Sequence, residues 1–407
     1  MRTAPLLLLF LSALIAISPL ATDVYLPAMP AMAADLGTDI GQLGFTISTY
    51  FLGLSVGQLL GGSVSDQVGR KRCAVVGLAL FCAVSILIMM STSILYIQFL
   101  RVFQALGGGF ASVVAMPMLR DVYPAREAAR KIPVVMSVMM LAPMVAPALG
   151  SLILMIHWRA IFGFLSVYSL VLLLVYLFFI PETSKNPRQR LTLKNIGPNY
   201  WRVLCHKSDG RLIAVRYLLC NAFGTSVLMV FITNASFTYI EYFGVSAEQF
   251  PLLFGVNVVA AIFFNLLTLY LMKSVDPQRI LKWVTVIHTI LSIFLVLLVI
   301  SGQAVFVAVV PLVVLIIGLG AVVSPCVSAM VYPYFRRLTG SVASLMAASV
   351  FLLGSMLGYL SGLFFDGSLL PLVLCMLIGS LMCVVLAHSI PFATLHSLAE
   401  SKVSEGL

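Results

Sequence analysis

Gly62-Ser63-Val64-Ser65-Asp66-Gln67-Val68-Gly69-Arg70-Lys71-Arg72 is a polar stretch between two apolar runs, near 44–64 and 73–91. Each run is close to the roughly 20 residues that cross a bilayer as a helix. The stretch therefore reads as a tight connection between two membrane spans. Gly62 lets two helices approach closely, and Gly69 permits the sharp turn. Asp66 can accept hydrogen bonds from the first amides of the following span and can pair with Arg70. The three cations Arg70-Lys71-Arg72 mark the loop as cytoplasmic.

The same alternation extends to both ends of the chain. Of 407 residues, 61% are hydrophobic and 9% charged, whereas a soluble domain carries about 25% charged residues. That excludes a soluble enzyme, a disordered chain and a small secreted scaffold. The apolar runs are continuous, not alternating, so they read as helices and not as barrel strands. They fall near 4–30, 44–64, 73–91, 95–118, 132–154, 160–181, 212–238, 250–272, 282–301, 304–330, 341–365 and 369–390. The expected fold is an all-α integral membrane protein of twelve transmembrane helices in two six-helix bundles. The expected division is a first bundle at 1–181, a cytoplasmic linker at 182–211, a second bundle at 212–390 and a cytoplasmic tail at 391–407.

Orientation follows from the cations. With the N-terminus in the cytoplasm, all of the 24 lysines and arginines except Arg101 and Arg159 lie on the cytoplasmic side, as the positive-inside rule requires. Both termini are then cytoplasmic. The net charge of +10 is explained by this asymmetry, so no nucleic-acid partner is expected. The linker cations, from Lys185 to Arg211, suit a tether lying on anionic headgroups. A weak internal repeat supports two halves: Leu36-Gly37-Thr38-Asp39-Ile40-Gly41-Gln42-Leu43 and Phe243-Gly244-Val245-Ser246-Ala247-Glu248-Gln249-Phe250 share their Gly and Gln spacing.

Chemistry concentrates in three spans. The first contains Thr22-Asp23-Val24-Tyr25-Leu26-Pro27, and an acid within a span is a functional hypothesis by default. The fourth contains Arg101-Val102-Phe103-Gln104. Asp23 and Arg101 sit at similar depth in antiparallel spans, so they are expected to pair. The pair has two readings: a permanent structural ion pair, or a proton-exchanging Asp23 tuned by Arg101. In the fifth span, Leu141-Ala142-Pro143-Met144-Val145-Ala146-Pro147-Ala148-Leu149-Gly150 combines small residues with two prolines four apart, which loosen the backbone and allow close packing. Tyr25, Tyr50, Gln104, Met140, Asn221, Asn234 and Phe237 are candidate lining for a substrate cavity, offering aromatic, polarizable and polar contacts. The seven cysteines form no CxxC pair, the five histidines are scattered, and no GxxxxGKS loop occurs. No metal site, cofactor, ATP site or enzymatic constellation is therefore expected.

The stretch Gly62–Arg72 resembles the signature loop of the major facilitator superfamily, G-x-x-x-D-x-x-G-R-K/R. Further stretches narrow the likeness: Thr22–Pro27, Arg120-Asp121-Val122-Tyr123, Trp158-Arg159-Ala160-Ile161-Phe162, Pro181-Glu182-Thr183 and Tyr239–Ser246. Together they are similar to the bicyclomycin-resistance (Bcr/CflA) group of proton-coupled, twelve-span multidrug antiporters. The resemblance implies efflux of small amphipathic compounds, chloramphenicol- or bicyclomycin-like, across a bacterial inner membrane. It also implies alternating access driven by the proton gradient, by a monomer. It leaves cysteine or dipeptide export, and proton-coupled uptake, as alternatives. Asp66, Arg70 and Asp121 would form a charge latch, with Gly62 and Gly69 shaping it. Ala142, Pro143, Ala146, Pro147 and Gly150 would be the span-five antiporter motif, with Ala142 where that pattern carries Gly. Ile15 stands where some antiporters carry a second acid.

Overall fold

In the computed structural model, residues 4–184, 197–208, 211–335 and 338–390 are described. Twelve helices among them are long and apolar enough to cross a membrane. Spans one to six are Leu7–Leu36, Ile40–Val68, Arg70–Met90, Ile94–Val122, Arg126–Leu154 and Trp158–Phe179. Spans seven to twelve are Ile213–Tyr242, Phe250–Leu271, Pro277–Ile300, Phe306–Phe335, Thr339–Leu363 and Leu370–Ser389. The twelve expected spans are all present. Residues 185–196 and 209–210 of the expected linker, the pair Arg336-Arg337 and the tail 391–407 lie outside the described residues. Beside the spans, a short helix at Gly197–Leu204 docks through Tyr200 and Val203, and Lys207–Ser208 pairs with Arg211–Leu212.

Span one is longer than expected and is broken. An α-helix runs over Ala4–Asp23, a 3₁₀ turn over Leu26–Ala28 and a second α-helix over Met29–Leu36. The expected end near residue 30 falls inside it, and neither Pro27 nor Pro30 ends the span. Each instead occupies the first turn of a new helical piece, where a missing N–H costs nothing. Span seven also exceeds its expected limit, because it ends in a π-helix over Phe237–Tyr242.

The chain divides into two compact units, 1–192 with 232–258, and 193–231 with 259–407. In the first, spans two, three and four pack through glycines. A Cβ at Gly53 would overlap the carbonyl of Val102, and one at Gly77 would lie 2.6 Å from the carbonyl oxygen of Gly107. Small residues let backbones meet where lipid supplies no hydrophobic drive. In the second, Tyr217, Cys220, Leu281, Val327, Met346 and Cys383 are part of a buried core to which spans seven, nine, ten, eleven and twelve contribute.

The internal repeat has a structural meaning. Gly37 and Gly244 both take the left-handed conformation, at φ 61° and 69°. Two residues on, the Asp39 carboxylate accepts from the Gln42 N–H at 2.8 Å, and the Ser246 hydroxyl accepts from the Gln249 N–H at 3.2 Å. Gly stops one helical piece, and an acceptor side chain then caps the next.

Candidate functional site

Asp23 is the last residue of its α-helix. Among the described residues it is the one buried acid, and Arg101 the one buried arginine or lysine. The two were expected to pair, but no ion pair joins them, and Asp23 Oδ1 is buried without a hydrogen-bond partner. Arg101 turns instead to the broken helix end. Its Nη1 and Nη2 both donate to the carbonyl of Ala21 at 3.1 Å. The final carbonyls of a helix lack intrahelical donors and carry partial negative charge, so a guanidinium satisfies them well. The Arg101 cation also lies between the rings of Tyr25 and Tyr50, 4.4 and 4.6 Å from their centroids.

Gln104 holds the arginine from the other side. Its Oε1 accepts from Arg101 Nη1 at 2.7 Å, and its Nε2 donates to the Ser85 hydroxyl at 2.8 Å. Gln104 is fully buried, with both ends of its amide engaged inside the first unit, so it braces Arg101. The Tyr25 and Thr46 hydroxyls share a hydrogen bond of 2.9 Å. Tyr25 and Tyr50 are buried, as are Asn234 and Phe237, while Met140 is half-buried. Asn221 belongs to the second unit, where its Oδ1 is buried without a partner.

Span five meets span one at its break. Ala142, Ala146 and Gly150, spaced four apart, are buried along one face, with Pro147 beside them. The helix runs unbroken over Ala125–Leu154 through three prolines. A Cβ at Gly150 would overlap the Val24 carbonyl oxygen and lie 3.1 Å from Pro27 Cγ. The motif therefore seats the residue that follows Asp23. From span seven, Ser236 donates to the Leu26 carbonyl in the same broken segment.

At the far end of the first unit, Gly69 joins spans two and three with φ 106°, a conformation only glycine adopts freely. Arg70 pairs with Asp66, donates to the Ser65 hydroxyl at 2.7 Å and reaches Asp121 Oδ2 from Nε at 3.3 Å. Gly62, half-buried, accepts from the Ser65 hydroxyl through its carbonyl at 2.8 Å. Asp66 does not cap span three as expected, because its side chain is turned outward and engaged by Arg70. Glu182 caps it: its carboxylate accepts from the Arg70 and Lys71 amides at 2.9 and 3.1 Å. Lys71 Nζ in turn donates to the Leu177 carbonyl at 2.9 Å. The start of span three and the end of span six thus cap each other, negative charge on the N-terminus and positive on the C-terminus.

Arg159, the cation that broke the positive-inside pattern, is compensated. It pairs with Asp35 at 2.5 Å, Trp158 Nε1 donates to the same carboxylate at 2.9 Å, and Arg159 stacks on Trp158 at 4.2 Å. Glu182, Asp35 and Trp158 were missing from the expected site. Only the stretches Pro181–Thr183 and Trp158–Phe162 hinted at two of them.

Twelve spans, a charged connection between spans two and three, and a buried acid and arginine inside one helical unit define a multi-pass membrane transporter. A model of the Major Facilitator Superfamily matches residues 11–359, and the chain belongs to that superfamily. It is 27% identical over 355 residues to the bicyclomycin resistance protein homolog of Haemophilus influenzae, covering 87% of this chain and 88% of that one. It is 34% identical over 186 residues to the multidrug resistance protein MdtL of an Escherichia coli strain, covering 44% and 47%. The fold is like that of the inward-open xylose transporter XylE from E. coli, with a TM-score of 0.73 at 14% identity over 98% of both chains. It is also like that of the nucleoside transporter NupG, with a TM-score of 0.71 at 14% identity over 94% and 98%.

Proposed function

We propose that this protein exports small amphipathic drugs, chloramphenicol- or bicyclomycin-like, in exchange for protons entering across the bacterial inner membrane. The observation that carries this reading is Asp23: a buried carboxyl with an unpartnered oxygen, at the end of a broken helix that span five contacts directly. Burial favours the neutral form of any carboxyl, whereas wetting favours the charged form. Alternating access would therefore switch proton affinity as it switches exposure. The names of the relatives support drugs as cargo. Both termini face the cytoplasm, the proton gradient supplies the drive without a cofactor, and the working unit is a monomer. Each pH unit contributes about 1.4 kcal/mol per proton, a tenfold ratio, and the membrane potential adds about 2.3 kcal/mol per 100 mV.

The test is drug-induced proton flux in proteoliposomes with an acidic lumen, comparing wild type with Asp23→Asn. A panel of chloramphenicol, a sulfonamide, an aromatic cation and cysteine separates drug export from amino-acid export. Dissipation by wild type and not by the variant is the expected result. Equal responses from both proteins would remove Asp23 from the coupling, and accumulation down the proton gradient's direction would make the protein an uptake symporter.

A further inference from the structure

In an α-helix each carbonyl accepts from the N–H four residues on. Span one interrupts that ladder at its prolines: Pro27 removes the donor for the Asp23 carbonyl, and Pro30 removes it for Leu26. The Leu26 carbonyl keeps a 3₁₀ bond from the Met29 N–H and gains a donor from outside its own helix, the Ser236 hydroxyl. Serine hydroxyls inside helices commonly bond back to their own backbone. The buried Ser48, Ser85 and Ser292 do so, to the carbonyls of Gly44, Phe81 and His288 at 3.5, 2.7 and 2.9 Å. Ser236 is equally buried, yet its hydroxyl crosses to a residue 210 positions earlier. It is the last residue of the α-helix Ile213–Ser236, and the π-helix of span seven begins directly after it. A second bond lies close by in the chain. Ser151 donates to the Ala247 carbonyl at 2.7 Å, and the residue before it, Gly150, abuts the Val24 carbonyl. Span five thus touches the break in span one with one residue and the segment beyond span seven with the next. Residues 232–258 accordingly belong to the first compact unit, while the remainder of spans seven and eight belongs to the second.

We propose that Ser236 and Ser151 form a clasp that holds the broken segment of span one shut, so that Asp23 exchanges its proton only when the C-terminal end of span seven moves; this rests on Asp23 being the proton carrier. The clasp acts on backbone three residues beyond Asp23, and Arg101 holds the backbone two residues before it. Asp23 is therefore bracketed by a donor from span four, in the first half of the sequence, and a donor from span seven, in the second. Movement that draws span seven away removes the Ser236 bond and leaves the Leu26 carbonyl with its 3₁₀ bond alone. The break is then free to open, and the carboxyl meets water. An antiporter whose carboxyl stood open between drug cycles would leak protons. A bond joining the two halves of the sequence at this point ties the opening to the transport movement. Ser236 touches neither proton nor drug in this scheme: it is a positioning residue, acting through the Leu26 carbonyl.

Ser236→Ala removes one hydroxyl and fits the same space. The first measurement needs no substrate: hydrogen–deuterium exchange of the full chain in lipid nanodiscs, followed on peptides covering residues 22–36. Ser236→Ala should speed exchange there about fivefold, the worth of one hydrogen bond, and Ser151→Ala should do the same at 243–250. Ser48→Ala, whose hydroxyl bonds within its own helix, should change neither. The second measurement is proton leak from proteoliposomes with an acidic lumen and no drug. Ser236→Ala should leak faster than wild type, and Ser236→Ala combined with Asp23→Asn should not. Unchanged exchange at 22–36 overturns the clasp, as does a rise spread across the whole first unit, which marks lost packing. Faster local exchange without a leak overturns its part in coupling. A leak that survives Asp23→Asn removes Asp23 as the carrier, while faster local exchange still establishes the clasp.

Discussion

Gly150→Ala adds one carbon at the contact between span five and the break in span one. That carbon would overlap the Val24 carbonyl oxygen and lie 2.7 Å from Val24 C. Carbon atoms rest about 3.5–4.0 Å apart, so the two helices must separate by about 1 Å. The obstacle is backbone, so no rotamer change relieves it. Overpacking of this kind costs about 1–3 kcal/mol. At about 1.4 kcal/mol per tenfold change, the packed arrangement would lose on the order of 5- to 150-fold in population. Asp23, the residue before Val24, would move with it. The assay pairs melting in detergent with drug-driven proton flux. Gly255→Ala is the control, since a Cβ there meets nothing within 4 Å and alanine favours the helix by about 1 kcal/mol. Gly150→Ala should melt below wild type and lose coupled flux, while Gly255→Ala should melt at or above it. A Gly150→Ala protein that melts and transports like wild type would refute the argument that this contact positions Asp23.

Two further predictions follow from the caps. Glu182→Ala should lower stability by about 1–2 kcal/mol, the value of a good N-cap, and Glu182→Gln by less, since one acceptor oxygen survives; equal melting of all three proteins would remove the cap from the account. Arg101→Lys should be nearly as damaging as Arg101→Ala in melting and transport, because an ammonium cannot reproduce a planar group stacked between two rings; a fully active lysine variant would show that charge alone suffices.

The extent to which this structure can be read from its sequence differs by level. Membrane spans announce themselves, because each must present about 20 apolar residues to lipid whatever its neighbours do. The helix break at Asp23 was hidden, since Pro27 and Pro30 stop one helix or start another equally well. The pairing of Asp23 with Arg101 was expected from depth alone. Depth does not fix the direction in which a side chain points, and the helix end offered Arg101 a carbonyl instead. Gln104 read as cavity lining for the same reason: composition shows a polar residue in a span, not which helix it faces. Glu182 caps amides 112 and 111 residues away, a contact without a local signal. Gly69 and Gly150 were legible because each sits where a side chain is excluded, by conformation at one and by contact at the other.

The hold of Arg101 on the Ala21 carbonyl also bears on how the chain is made. An arginine within a span costs about 2.5–3.5 kcal/mol on insertion at the centre of a helix, and span four has no acid of its own near Arg101 to offset it. The acceptor is a backbone atom of span one, synthesised 80 residues earlier. That cost is offset only where span four lies against the broken end of span one, so assembly of the first half supplies what span four lacks alone. The oldest helix in this way receives the charge of a younger one.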